Sequence, residues 1–402
     1  MKRVVIVGAF DRYNYGDNIM PILFELFLRE FYPSVFDHYQ LVYAALTESD
    51  LSRYKAFKTQ ALADVFATGT DDIEAVISIG GEVLCAPSST LFLHMNNAPK
   101  QARRIQALRE RKLIFLADLI CRRHYRLPWE YPYVPPRLQP TMKVAFNTVG
   151  GGISSRSLGT YLYSVKQRLA EASFLSVRDS RTEQRLQHFC APKVAPDSAM
   201  TMAYFANAEF LTNQSSDRVR KVCSESYICF QASPKKAGAS ARACAVKLRE
   251  LSERYGMSVK LCPIGYASGH DDIDFLREVY ACADGDFELV DDLNVWEIMN
   301  VIKNAKVFIG TSLHGAITAL SYSTPYIGLN RAVAKLDKFL LDWGIEEGQR
   351  CYSVAELGDI FAKVTAIDPA NFRSHSKYLM ELSLANNHEL VAALELSKFE
   401  QL

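Results

Sequence analysis

The chain lacks an excess of charge of either sign: 46 Lys and Arg stand against 45 Asp and Glu in 402 residues, a formal net charge of +1. A general nucleic-acid-binding surface needs a marked basic excess, so that class is excluded. No uninterrupted apolar run approaches the roughly 20 residues that span a bilayer. The apolar run after Met1-Lys2-Arg3 is broken by Gly8 and Asp11, too early for the core of a secretory signal. The nine cysteines, from Cys85 to Cys351, include no CxxC pair and form an odd set. That usage suits reduced thiols in a cytoplasmic protein. Short repeats and low-complexity tracts are missing too. The first apolar run ends in Gly8-Ala9-Phe10-Asp11, without the G-x-G-x-x-G spacing that would argue for a bound dinucleotide.

What is present reads as an α/β protein. The composition, 49% hydrophobic and 23% charged, is that of a globular chain long enough for two domains. Short apolar runs at 3–8, 41–46, 75–79, 143–147 and 174–177 read as buried strands. A second series lies at 227–230, 259–261, 287–290, 306–309 and 326–329. Helical patterns fill the gaps, near 18–30, 241–255 and 294–303. This alternation indicates βαβ units and parallel sheets. A polar, strand-free stretch near 205–225 marks a junction. The expected plan is two Rossmann-like domains facing a cleft, at 1–205 and 206–370. A helical segment at 371–402 has no place in the second sheet and is expected to cross back onto the first domain.

The most informative stretch is 307–320, in which an apolar strand stops at Gly310 and Thr311-Ser312-Leu313-His314-Gly315 opens an Ala- and Leu-rich helix. Ligands of open parallel sheets bind beyond the carboxyl ends of strands, where helix N-termini favour anions. A His at that point can exchange a proton near neutral pH, although a lone His near a helix start is more often structural. Segment 121–137 stands apart, with its prolines, aromatics and arginines. Such side chains can stack on sugar rings or sit at a membrane surface; the plainer alternative is a surface excursion anchored by its aromatics. His270-Asp271-Asp272 reads as the start of a helix rather than as a metal cluster.

Several motifs together resemble one family. Asn14-Tyr15-Gly16-Asp17-Asn18, Ser78-Ile79-Gly80-Gly81, Ser176-Val177-Arg178-Asp179-Ser180, Pro196-Asp197-Ser198-Ala199-Met200, Ser312-Leu313-His314-Gly315 and Lys335 occur in the order found in polysaccharide pyruvyl transferases. The resemblance spans about residues 3–340. It implies a GT-B-like fold and transfer of pyruvate from phosphoenolpyruvate onto two hydroxyls of a sugar, giving a cyclic ketal and phosphate. It also implies an acceptor in a bacterial surface glycan, often lipid-linked. With such an acceptor and the 121–137 loop, peripheral contact at the inner face of the membrane is an expectation for this otherwise cytoplasmic chain. Neither cofactor nor metal is implied. One departure stands out: where many family members carry Arg two positions before the motif His, this chain has Ser312.

The residue types fit that chemistry. A carboxylate and a phosphate call for cations or helix N-termini. Arg178, Ser312, Gly315, Arg331 and Lys335 are the donor-side candidates, with Arg178 and Arg331 the possible substitutes for the family Arg. His314 is the candidate general acid and Asp17 a base toward acceptor hydroxyls. Asn14, Gly80, Gly81 and Glu82 are the acceptor-side candidates. Asp197, after Pro196, reads as structural. A GT-B glycosyltransferase using a nucleotide-sugar donor is the alternative function. Against it, residues 316–323 carry no acid to hold a ribose.

Overall fold

The computed structural model describes residues 1–67, 69–95, 99–151, 162–266 and 272–398. The first series of apolar runs forms β1 (Lys2–Val7), β2 (Tyr39–Ala45), β3 (Gln60–Ala61), β4 (Ile73–Ile79), β5 (Lys143–Val149), β6 (Phe174–Val177) and β7 (Lys193–Val194). They build one parallel sheet in the order β3-β2-β1-β4-β5-β6-β7. The second series forms β8 (Tyr227–Gln231), β9 (Ser258–Leu261), β10 (Phe287–Leu289), β11 (Val307–Gly310), β12 (Tyr326–Leu329) and β13 (Cys351–Tyr352). These also run parallel, in the order β10-β9-β8-β11-β12-β13. Val4 to Val7 are fully buried, because helices cover both faces of the sheet; hence the continuous rather than alternating apolar run. The edge strands β3, β7 and β13, two residues each, are too short to leave a periodic signal.

In each sheet the order reverses at a switch point, between β1 and β4 and between β8 and β11, and ligands of such sheets bind beyond the strand ends there. Helix α1 (Tyr15–Phe31) leaves the first switch point and packs between the domains. Between β4 and β5 the chain forms α2 (Ser88–Met95), α3 (Pro99–Glu110) and α4 (Ile114–His124), a helical excursion with no counterpart in the sequence reading. Helices α5 (Ser180–Leu186), α6 (Asp272–Ala281), α7 (Leu313–Ser321) and α8 (Ala334–Trp343) follow β6, β9, β11 and β12.

Helix α9 (Pro369–Ala393) starts behind an Asp368 cap and crosses from the second domain to the first. His375 Nε2 meets the carbonyl of Trp343 at 2.8 Å near its start. Farther on, Asn147 Nδ2 donates to Asn387 Oδ1 at 2.9 Å and Asn386 Nδ2 donates to Asn147 Oδ1 at 2.8 Å, under the first sheet. The domains also meet at the cleft. Asn14 and Gly265 form an antiparallel bridge, and Tyr13 stacks on Tyr54 at 3.8 Å and on Tyr266 at 5.3 Å. Such pairs contribute on the order of 1 kcal/mol each beyond their burial, so the two walls are held in register.

The aromatic segment 121–137 is anchored by its aromatics, as the plainer alternative has it, and it reaches deeper than a surface excursion, with Arg123, His124, Arg126 and Pro128 left exposed. Trp129, Tyr131 and Tyr133 are buried in the core of the first domain, and Trp129 Nε1 donates to the Pro132 carbonyl at 3.1 Å. Arg122 instead pairs with Glu130 at 2.5 Å. Membrane contact through these aromatics is therefore ruled out by their burial. Among the described residues, no helix is long and apolar enough to cross a membrane.

Candidate active site

A cleft of about 470 Å³ opens between the domains, lined by residues that follow β1 and β4 on one side and β8 and β11 on the other. On the second-domain wall the chain leaves β11 at Gly310 and turns into α7. Ser312 has extended backbone, and its Oγ accepts the Gly315 N–H at 3.2 Å, so its hydroxyl serves as a helix cap. The turn is held from below by Gln231 at the end of β8. Gln231 Oε1 accepts the N–H groups of Thr311 (3.0 Å) and Ser312 (2.8 Å), while its Nε2 donates to Asp272 Oδ2 at 2.8 Å. Burial pushes the Asp272 carboxyl up to about 6, against the hydrogen bonds it accepts from Gly265, Gln231 and Ile264. Ser312, Leu313 and His314 all line the cleft, which places the positive end of α7 at its wall.

His314 sits in the first turn of α7, nearly enclosed. Its Nε2 lies 3.7 Å from Asp197 Oδ2, an ion-pair distance rather than a hydrogen bond. Its Nδ1 faces Gly16 at the start of α1, where a Cβ would stand only 1.8 Å away. Arg178, directly after β6, is 1% exposed and donates from Nη1 to the same Asp197 oxygen at 3.2 Å. Its buried Nε meets no acceptor among the described residues. Gly150 makes room for it, since a Cβ there would come within 2.8 Å of that nitrogen. Asp179 caps α5 by accepting the Thr182 N–H at 2.7 Å.

Asp197 thus joins the two candidate residues. Burial raises its pKa, but His314 and Arg178 outweigh that and hold the carboxyl at about 2. Around it lies a cationic group. Lys335, Arg178, Arg181 and Lys236 together draw Glu82 below the usual carboxylate range in spite of burial. Burial, then the neighbouring Lys335, lowers Lys236 to about 8. On the opposite wall Asn14 Nδ2 donates to Asp17 Oδ2 at 2.8 Å. Gly81, with φ +71°, lets the chain pass 3.3 Å from Asp17 Oδ1, measured to the position of a Cβ. His94 of α2 also faces this side, its imidazole lowered to about 4 by burial and by Arg12.

The cleft therefore brings together His314, Asp17, Arg178, Ser312, Lys335, Asn14, Gly81 and Glu82. Three other candidates do not line it. Gly80 backs onto Met20, Gly315 packs against Phe308, and Arg331 turns outward, its Nε donating to the Cys351 carbonyl at 3.0 Å and Nη2 lying 3.6 Å from Glu356. Gly16, Asp197, Gln231, Asp272 and Lys236 were missed as site residues. Asp197 lies three residues past the edge strand β7, which is too short to announce itself in the sequence. His270 and Asp271 lie outside the described residues, and among those described no group of three His, Cys, Asp or Glu is placed to hold a metal.

Solved structures with this architecture include the UDP-GlcNAc 2-epimerase of Neisseria meningitidis bound to UDP-GlcNAc, at TM-score 0.57 and 10% identity over 98% of this chain and 100% of that one. A putative UDP-N-acetylglucosamine 2-epimerase of Listeria monocytogenes aligns at 0.56 and 11% over 100% and 98%. HepE of Anabaena, in complex with UDP and glucose, aligns at 0.54 and 10% over 98% and 100%. At such identities the likeness is one of fold, and the fold is GT-B-like. No curated protein matches the chain. A family model described as polysaccharide pyruvyl transferase matches residues 14–332, which takes in Asn14, Asp17, Arg178, Asp197 and His314 and stops just short of Lys335. The chain belongs to the polysaccharide pyruvyl transferase family.

Proposed function

We propose that the cleft moves the pyruvyl group of phosphoenolpyruvate onto two hydroxyls of a sugar, giving a cyclic ketal and inorganic phosphate. The observation that carries this reading is Asp197, shared at 3.2 and 3.7 Å by Arg178 and His314. A buried guanidinium with an unmet N–H and an imidazole stand side by side on one wall, as an anion that must be protonated requires. Arg178, Lys335 and the start of α7 hold the carboxylate and phosphate. His314 protonates the methylene carbon of the enol, which leaves an oxocarbenium-like carbon. One sugar hydroxyl adds there, and its proton passes to Asp17 and on to water. Phosphate then departs with the C–O electron pair, the second hydroxyl closes the ketal, and its proton returns to His314. The proton released to water is matched by the one taken up by the departing phosphate.

The cations around Glu82 stand in for the charge that Ser312 does not carry. The acceptor binds against the wall of Asn14, Asp17 and Gly81. Incubation with phosphoenolpyruvate and a panel of glycans, followed by phosphate release and mass spectrometry, tests the reaction. Pyruvylated glycan from the native chain and none from His314→Gln is the expected result. Ketal formation that survives His314→Gln would remove the general acid.

A further inference from the structure

Helix α4 is built the wrong way round for a surface helix. Toward the protein it turns Ala117, Asp118 and Cys121, which are buried against Phe92 and Ile105. Toward solvent it carries Phe115 (56% exposed), Leu116 (42%) and Ile120 (45%), with half-buried Leu119 between them and Leu113 (47%) just before its start. At 100° per residue, Leu116, Leu119, Ile120 and Arg123 fall on one outward stripe. A contiguous apolar stripe on a chain that has ample polar residues marks a surface for contact.

The charge around it specifies the contact. Arg111 and Lys112 fill the turn before α4, and Arg122 and Arg123 close its last turn. On the preceding helix α3, Lys100, Arg103 and Arg104 form one exposed stripe by their spacing. Residues 99–126 hold nine Lys or Arg against Glu110 and Asp118; with Arg122 paired to Glu130 and Arg126 to Asp64, a net +5 remains in a chain whose total is +1. Asp118 is buried and accepts the Ser89 N–H at 2.9 Å, so it does little to offset the surface charge. Large apolar side chains flanked along the chain by basic ones, on a helix too short to span a bilayer, match a negatively charged lipid surface. A protein partner would not require so one-sided a charge.

We infer that the α3–α4 hairpin docks the protein on the headgroup region of an anionic membrane, with Leu116 and Ile120 entering the acyl boundary and the basic residues holding phosphates. The hairpin adjoins the cleft: α2, which lines it with Thr90, Leu91 and His94, packs directly on α4. Docking would set the first-domain wall of the cleft close to the bilayer. The inference does not depend on the donor chemistry proposed above.

Co-sedimentation of the full chain with vesicles of phosphatidylcholine, with and without phosphatidylglycerol, is the test. Binding to the phosphatidylglycerol vesicles alone, weakened by salt, is expected. Each basic residue near such a surface contributes about fivefold, so Arg103→Gln with Arg104→Gln, Arg111→Gln and Lys112→Gln should lower partitioning by several hundredfold. A second variant, Leu116→Ser with Ile120→Ser, changes only exposed positions and should keep its melting temperature while losing binding. No binding to either vesicle by the native chain overturns the inference, as does binding that both variants retain. A native dimer that the serine variant dissociates, without vesicle binding, would assign the stripe to a second copy of the chain instead.

Discussion

Gly16 and His314 face each other across the domain boundary so closely that no side chain fits between them: a Cβ on Gly16 would lie 1.8 Å from His314 Nδ1. The start of α1, in one domain, is thus the backstop for the imidazole of the other. Tyr15 and Thr318 tie the same two helices at 2.8 Å, and Thr318 Oγ1 donates to the His314 carbonyl at 2.7 Å. Gly16→Ala should push the ring off Asp197 and lower kcat by about a hundredfold, since a displacement of an ångström at a reacting group has that effect. Steady-state kinetics alongside a melting curve would check it. An alanine variant of native activity would show that the ring position is immaterial.

Asp197 is the hinge of the charge arrangement. Its carboxyl is held below the unfolded value, so its stabilisation is complete above about pH 4 and is lost as pH falls through about 2. The shift corresponds to about 2 kcal/mol. Asp197→Asn leaves Arg178 buried without its counter-charge and should cost about 3 kcal/mol at neutral pH, with a flatter acid limb. Denaturant titrations of both proteins between pH 2 and pH 7 measure both effects.

Lys236, lowered to about 8 by burial and Lys335, is charged at neutral pH and discharges just above it. The neighbours facing it are Lys335, Asp272 and Glu82. Binding of phosphoenolpyruvate should therefore weaken as pH rises through 8, by about tenfold for the loss of one cation. In Lys236→Gln the affinity is lower at pH 7 and the dependence on pH is flattened. Calorimetric titration at several pH values decides this.

Arg178 and Arg331 should behave oppositely. Arg178 is buried on the cleft wall, whereas Arg331 is outside it. Arg178→Lys keeps the charge but loses the planar fork, and should weaken donor binding by about tenfold or more. Arg331→Ala should leave donor affinity unchanged. The reverse pattern would place the donor on the outer side of β12.

Much of this was legible in the residues. The ten apolar runs became strands because parallel strands covered on both faces must be apolar throughout, and His314 was conspicuous as a titratable group where a strand gives way to a helix. Three kinds of feature were not legible. Edge strands such as β13 pair over two residues and carry no period. Trp129 is buried although the proline-rich segment around it looks like surface, because irregular chain can pack as core when a polar group finds a partner, as Trp129 Nε1 does at the Pro132 carbonyl. Asp197, Gly16 and Gln231 owe their place to pairings between distant segments, which spacing along the chain cannot express.

The most direct test of the central reading is a thermal-shift titration of the purified chain with phosphoenolpyruvate and, in parallel, UDP. A ligand at a hundred times its Kd adds about 2.7 kcal/mol to stability, enough to read as a clear rise in melting temperature. Stabilisation by phosphoenolpyruvate, absent with UDP and reduced in Arg178→Lys, is the expected result. Stabilisation by UDP with none from phosphoenolpyruvate would contradict it and make the cleft a nucleotide-sugar site.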